Sequence, residues 1–262
     1  MSQDFTVVIP ARLGSTRLPR KPLQLLQGRP LIWHVASRAL MSAAGQVVVA
    51  TDSDEIVAAV RDLPVRAMLT AVDHPTGTDR IAEVAKRLGL APTHVVVNVQ
   101  GDEPLVPPAV IDALADALAA HPQVAVATLR TPIERLDEFC DPNVVKVVVD
   151  RHQRALYFSR APIPWPRDAF AHATRTLPPG FVAFRHIGLY AYRGGFLARF
   201  PTLAAGELEQ VEMLEQLRAL ANGEPIIAIR SPEDFPAGID TAADLARVEA
   251  WLKNPACNSN KL

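Results

Sequence analysis

The chain has 262 residues, 49% hydrophobic and 21% charged, enough apolar material to bury a substantial core as a single α/β domain. Its 27 basic and 28 acidic side chains give a formal net charge of -1, which excludes a chain-wide basic surface for a long polyanion, so no nucleic-acid partner is expected. Cys140 and Cys257 stand far apart outside any CxxC spacing, no run approaches the roughly 20 apolar residues of a membrane helix, and the first residues show no secretion-like segment, so a cytoplasmic chain without a membrane partner is expected.

Residues 6–9, 47–51 and 95–99 are apolar at consecutive positions, the pattern of strands buried on both faces of a parallel sheet. Helices are predicted between them over 31–41 behind Pro30, over 53–61 with Ser53 as cap, over 78–88, and over 108–119 with proline in the first turn. This alternation predicts a Rossmann-like α/β fold: a mostly parallel, doubly wound sheet flanked by helices. The rhythm changes after about Leu129. Strands over 144–149 and 155–159, around a turn at 150–153, and a proline-rich loop over 162–179 predict a smaller inserted lobe. It would span about 131–224, between core segments of about 1–130 and 225–254. Residues 186–192 have strand periodicity, with His186, Gly188, Tyr190 and Tyr192 on one face. A helix over about 209–221 follows, then a strand over 225–230 and a last helix opened by Thr241 with Asp244 in a capping-box pair. The polar tail beyond Lys253 is expected to fray.

Three segments carry chemistry. Ala11-Arg12-Leu13-Gly14-Ser15-Thr16-Arg17-Leu18-Pro19-Arg20-Lys21-Pro22 follows the first strand, at the edge where open α/β sheets bind ligands. Its four cations suit a triphosphate, with Arg12 and Lys21 the leading candidates, although it is neither a P-loop nor a dinucleotide fingerprint. The turn Gln100-Gly101-Asp102-Glu103-Pro104 puts a carboxylate just past a buried strand, and Asp240 supplies a second ahead of the last helix. A pair of carboxylates with substrate phosphates is the usual holder of Mg2+. Taken alone, Asp102 is equally an ordinary turn residue and Asp240 an ordinary helix-start aspartate. The turn 73–80 offers amides and hydroxyls to a ribose or base, and as readily forms a plain helix N-terminus capped at Gly77 or Thr78.

The segments PARLGSTRLPRKPL, DHPTGTDR, VNVQGDEP, ALYFSRAPIPW, FRHIGLYAYR, LEQVEMLEQLR and GIDTAADLARVE together resemble the 3-deoxy-manno-octulosonate (Kdo) cytidylyltransferases, the CMP-Kdo synthetases, over nearly the whole chain. The resemblance implies a homodimer that joins CMP from CTP to the anomeric hydroxyl of Kdo, releases pyrophosphate and serves lipopolysaccharide assembly. It implies that Arg12, Ser15, Arg17 and Lys21 meet the CTP phosphates, that Thr76, Gly77, Arg80 and Gln100 surround cytidine, and that Asp102 and Asp240 hold Mg2+. Arg12, Lys21, Asp102 and Asp240 are then the catalytic set, and Arg160, His186, Tyr190, Glu215 and Gln216 face Kdo. Without the resemblance, Glu215 and Gln216 read as exposed positions of an amphipathic helix, and His186 with Tyr190 as a packing pair. The family pattern often has glycine where this chain has Arg20, to which no catalytic role is assigned. A cytidylyltransferase for another acid sugar such as sialic acid is the nearest rival, and an inert CTP-sensing module the rival from another class.

Overall fold

In the computed structural model, residues 4–15, 17–171 and 176–253 are described; Thr16 of the cationic loop, Cys257 and the tail expected to fray lie outside them. Strand β1 (Phe5–Ala11) is buried along nearly its whole length, as its unbroken apolar run requires. A short hairpin of β2 (Leu25–Leu26) and β3 (Arg29–Pro30) leads into helix α1 (Leu31–Ala39). Then β4 (Gln46–Thr51), α2 (Asp54–Ala59), β5 (Arg66–Leu69), α3 (Gly77–Arg87), β6 (Val95–Asn98) and α4 (Pro108–Ala120) repeat the strand–helix alternation. Ser53 stands at the start of α2, but its hydroxyl makes no capping bond, and its N–H instead donates to the Thr51 hydroxyl at 3.2 Å.

After β7 (Val126–Ile133) and the short α5 (Leu136–Cys140), β8 (Lys146–Val149) and β9 (Ala155–Ser159) form the expected antiparallel pair. The long β10 (Ala183–Arg193) leads through α6 (Gly194–Arg199) to α7 (Glu207–Glu212) and α8 (Gln216–Ala221), and β11 (Ile226–Arg230) and α9 (Ala242–Leu252) end the described chain. The single helix expected over 209–221 is therefore two. Met213 adopts the left-handed conformation at φ 52 and ψ 48, and a right-handed helix cannot run through it.

The sheet runs β11-β7-β10-β6-β1-β4-β5, with β8 and β9 attached beside β10. Along that seven-strand path all neighbours are parallel except β10, which lies antiparallel between β6 and β7. A bulge between Ile187 and Tyr190 divides that strand: the first half pairs with β8, the second with β6. Alternate residues of the inner strands serve opposite faces. Val7, Ile9, Val47, Val49 and Val97 pack under α1, α2 and α4, while Val8, Val48 and Val96 meet α3, α6, α8 and the β8–β9 pair. Each fully buried valine or isoleucine contributes about 1.5–3 kcal/mol, so this two-faced core is what fixes the strand ends. A third cluster joins Leu18 of the cationic loop to Leu31 of α1, Ile239, and Val248 of α9, which ties that loop to the segment bearing Asp240. Among the described residues no helix is long and apolar enough to cross a membrane.

Candidate active site

Two adjoining cavities open at the carboxyl ends of β1 and β6, where the sheet leaves backbone groups facing outward. The first, of about 290 Å³, is walled by the cationic loop (Arg12, Ser15, Arg17, Lys21), the start of α3 (Thr76, Gly77, Arg80) and the turn Gln100 to Asp102. The second, of about 510 Å³, lies between β10 and α8 and is lined by His186, Gly188, Tyr190, Tyr192, Glu215 and Gln216. Arg17, Lys21, Gln100, Asp102 and Asp240 line both.

Lys21 occupies the junction. Its Nζ donates to Asp102 Oδ2 at 2.6 Å and to Asp240 Oδ1 at 2.9 Å, and Arg17 pairs with the other Asp240 oxygen at 3.2 Å. Burial works against the Lys21 ammonium, but the two carboxylates outweigh it and raise its pKa, so the group keeps its proton. The approach of Asp240 depends on Gly238. A Cβ there would stand 2.9 Å from the Asp102 carbonyl, and the neighbouring Ile239 N–H donates to that carbonyl at 2.9 Å. Glu103 also lies against Gly238, and burial, reinforced by Asp102, pushes its carboxyl up to about 8. Two carboxylates that reach one small cation fit a hard divalent ion completed by phosphate oxygens, the donor set Mg2+ prefers.

The residues of the first cavity are held by the protein itself. Arg80 is 3% exposed, and its guanidinium donates to the Thr70 hydroxyl and, at 3.2 Å, to Asp52, whose other oxygen accepts from Leu13 N–H at 3.3 Å. Asp52 was not singled out in the sequence; its one signal is its place just past β4, on the ligand-binding edge. Thr76, not Gly77 or Thr78, caps α3: its hydroxyl accepts from Asp79 N–H at 3.2 Å and donates to Asp79 Oδ2 at 2.7 Å. His74 and Ala71 N–H bind Glu83 at 2.6 and 2.9 Å and fasten the preceding turn to α3. Arg20 takes φ 54, a conformation glycine adopts without cost, and its side chain pairs with Glu55 of α2.

Away from the wall it shares with the first, the second cavity is lined by His186, Tyr190, Tyr192, Glu215 and Gln216. Burial lowers His186 to about 3, so its imidazole is neutral. Its Nε2 lies 3.0 Å from the Thr128 hydroxyl, which also donates to the Leu189 carbonyl at 2.8 Å. The Ile187 carbonyl lies 3.1 Å from the same hydroxyl. Burial, then Tyr192 and Glu215, raise Tyr190 well above its ordinary value, and it remains a phenol. Glu215 is raised by burial, against the pull of the Thr76 and Thr78 hydroxyls. Glu215 Oε1 and Gln216 Nε2 are buried with no protein partner, unlike the exposed helix positions their sequence alone suggested. Gly188, at the bulge, adds an open stretch of wall that the strand pattern did not mark as a site.

Arg160 is not brought to this cavity. Its Nε donates to the Glu212 carbonyl at 2.7 Å, Nη1 to Pro142 O at 3.0 Å and Nη2 to Met213 O at 3.4 Å. The other expected residues converge on the two cavities or their shared wall.

A family model described as cytidylyltransferase matches residues 6–226. The chain is 53% identical over 251 residues to a 3-deoxy-manno-octulosonate cytidylyltransferase of Cellvibrio japonicus, covering 95% of this chain and 98% of that one. It is similar to a solved structure of CMP:2-keto-3-deoxy-manno-octonic acid synthetase complexed with CTP, at a TM-score of 0.86 and 40% identity over 95% of this chain and 98% of that chain. A cytidylyltransferase from Leptospira borgpetersenii shares the fold at a TM-score of 0.58 and 16% identity over 99% of both chains. With a conserved-length match to enzymes of this kind and the two-cavity arrangement behind it, the chain belongs to the 3-deoxy-manno-octulosonate cytidylyltransferase family.

Proposed function

We propose that this chain transfers CMP from CTP to the anomeric 2-hydroxyl of Kdo and releases pyrophosphate, as a magnesium-dependent homodimer in the cytoplasm that supplies lipopolysaccharide assembly. The observation that carries this reading is the wall shared by the two cavities, where a nucleotide phosphate and a sugar hydroxyl would meet between Arg17, Lys21, Asp102 and Asp240. Arg12, Ser15, Arg17 and Lys21 bind the phosphates, and Thr76, Gly77, Arg80 and Gln100 enclose cytidine. Their rigidity orients the α-phosphorus before the sugar arrives, so alignment costs little at the moment of reaction.

Asp102 and Asp240 would hold Mg2+, which would offset charge on the phosphates and lower the pKa of the attacking hydroxyl. On the sugar side His186, Tyr190, Glu215 and Gln216 recognise hydroxyls, and Arg17 and Lys21 are the cations within reach of the sugar carboxylate. With its value near 3, His186 is too weak a base to take the hydroxyl proton at neutral pH, so it positions rather than deprotonates. The segment 131–224 would close over the sugar and carry the subunit contacts. Leu156 of β9 and Val211 and Met213 at α7 are apolar and exposed there.

The test is pyrophosphate release by the purified protein with CTP, Mg2+ and Kdo, against arms with UTP, without sugar, and with EDTA. Release only with CTP, Kdo and metal together supports the proposal. Release without Kdo, or undiminished in EDTA, contradicts it.

A further inference from the structure

Locally, at the break between α7 and α8, the Met213 and Leu214 N–H groups close on the Glu209 carbonyl, Leu214 is buried, and Arg218 of α8 binds the Glu209 carboxylate of α7 across the break. Met213 is 76% exposed, so packing does not hold it in the left-handed region, where a side chain costs roughly 1–2 kcal/mol. A further hold comes from the end of β9, more than fifty residues earlier in the chain. The Glu212 carboxylate accepts from the Ser159 hydroxyl at 2.6 Å and from Arg160 N–H at 2.9 Å, while the Arg160 guanidinium donates to the carbonyls of Glu212 and Met213. Each side chain thus grips the backbone of the other residue's segment, and the third Arg160 bond, to Pro142 O, anchors the pair to the turn before β8.

Immediately beyond the break stand Glu215 and Gln216, whose buried Oε1 and Nε2 have no protein partner. A helix continued through Met213 would rotate both away from their present direction. We propose that Glu212 and Arg160 form a clamp that fixes the α7–α8 break and so aims Glu215 and Gln216 into the sugar-side cavity, which makes both of them positioning residues that do not touch the sugar. The inference rests on the assignment of that cavity to the sugar.

The experiment is steady-state kinetics of Glu212→Ala, Glu212→Gln and Arg160→Lys beside Glu215→Gln, with thermal unfolding of each. Loss of the clamp should raise KM for Kdo about tenfold or more, since misplacement by an ångström is enough for that. The KM for CTP should change less than that for Kdo, because Arg80 is anchored by Thr70 and Asp52, apart from the clamp. Glu212→Gln keeps an acceptor for Ser159 or Arg160 and should lie between wild type and Glu212→Ala; if the alanine variant does not fold, the glutamine and lysine variants carry the same comparison. An unchanged Kdo KM in the Glu212 variants while Glu215→Gln raises it would overturn the clamp and leave the sugar reading standing. No change in either would overturn the sugar reading and the clamp with it. A fall in melting temperature and kcat with Kdo KM unchanged would reduce Glu212 to a structural role and also overturn the proposal.

Discussion

The two halves of the site are made by different means. In the proposed assignment the nucleotide side is charged and sits on the loops that follow β1, β5 and β6, with Asp52 beyond β4 joining Leu13 to Arg80 and Glu83 fastening the turn after β5 to α3. The sugar side presents a neutral imidazole, phenols and buried amide and carboxyl groups from one bulged strand and one broken helix. Charge on the first side suits phosphates in general; in the proposed reading the directional groups on the second, such as His186, Tyr190 and Gln216, carry discrimination between sugars, because a buried polar group left unpaired by a wrong sugar costs about 1–3 kcal/mol. The lesson is that activation and selectivity are separable in this molecule, and substitutions should separate them.

The largest effect is expected at the junction. Asp102→Asn or Asp240→Asn should lower kcat on the order of 10²-fold or more, with the fold intact by circular dichroism and the deficit present for every acceptor tried. A loss confined to one sugar would blur the division. His186→Ala comes next: KM for Kdo should rise roughly tenfold to hundredfold, the worth of a buried hydrogen bond, while calorimetric affinity for CTP is unchanged. If CTP binding weakened and Kdo kinetics did not, His186 would belong to the other half.

A smaller effect concerns pH. His186 is depressed to about 3 in the fold against an ordinary 6.5, so the unfolded chain binds the proton first as pH falls below 6.5. Stability from this group is therefore full above 6.5 and declines below it, by at most about 1.4 kcal/mol per pH unit. Unfolding by urea at pH 7.5, 6.5 and 5.5 should show a shallower acid limb in His186→Gln than in wild type; parallel limbs would mean the imidazole is not buried neutral. Arg20→Gly should have the smallest effect, within about 1 kcal/mol by the same assay and about twofold in kcat. Relief at φ 54 offsets the exposed ion pair with Glu55 and the entropy of glycine.

The same division governed what the sequence disclosed. Strand–loop signals are local: the buried run before Arg12, the Gln100-Gly101-Asp102 turn after a four-residue valine-rich strand, and the Thr241–Asp244 capping box all appear where their patterns put them. The nucleotide-side residues ride on those signals. The break at Met213 carries none, since neither glycine nor asparagine marks it and the Arg160 bonds that reach it come from far away in the sequence. Arg160 itself follows a strand end in a conspicuous motif, yet three carbonyls claim its guanidinium, a fact of tertiary structure alone. The antiparallel insertion of β10 between β6 and β7 likewise left no trace in its periodicity, because alternation reports which face is buried and not which neighbour is paired.

In the proposed reading, the half of the site built on β10 and α8 selects the acceptor. The most direct test is the ratio of kcat/KM for Kdo to that for sialic acid, measured by pyrophosphate release for wild type and His186→Ala under the same CTP and Mg2+. The account predicts a ratio well above one in wild type that falls at least tenfold in the variant, the equivalent of about 1.4 kcal/mol of discrimination. A ratio near one in wild type, or one that His186→Ala leaves unchanged, would contradict it.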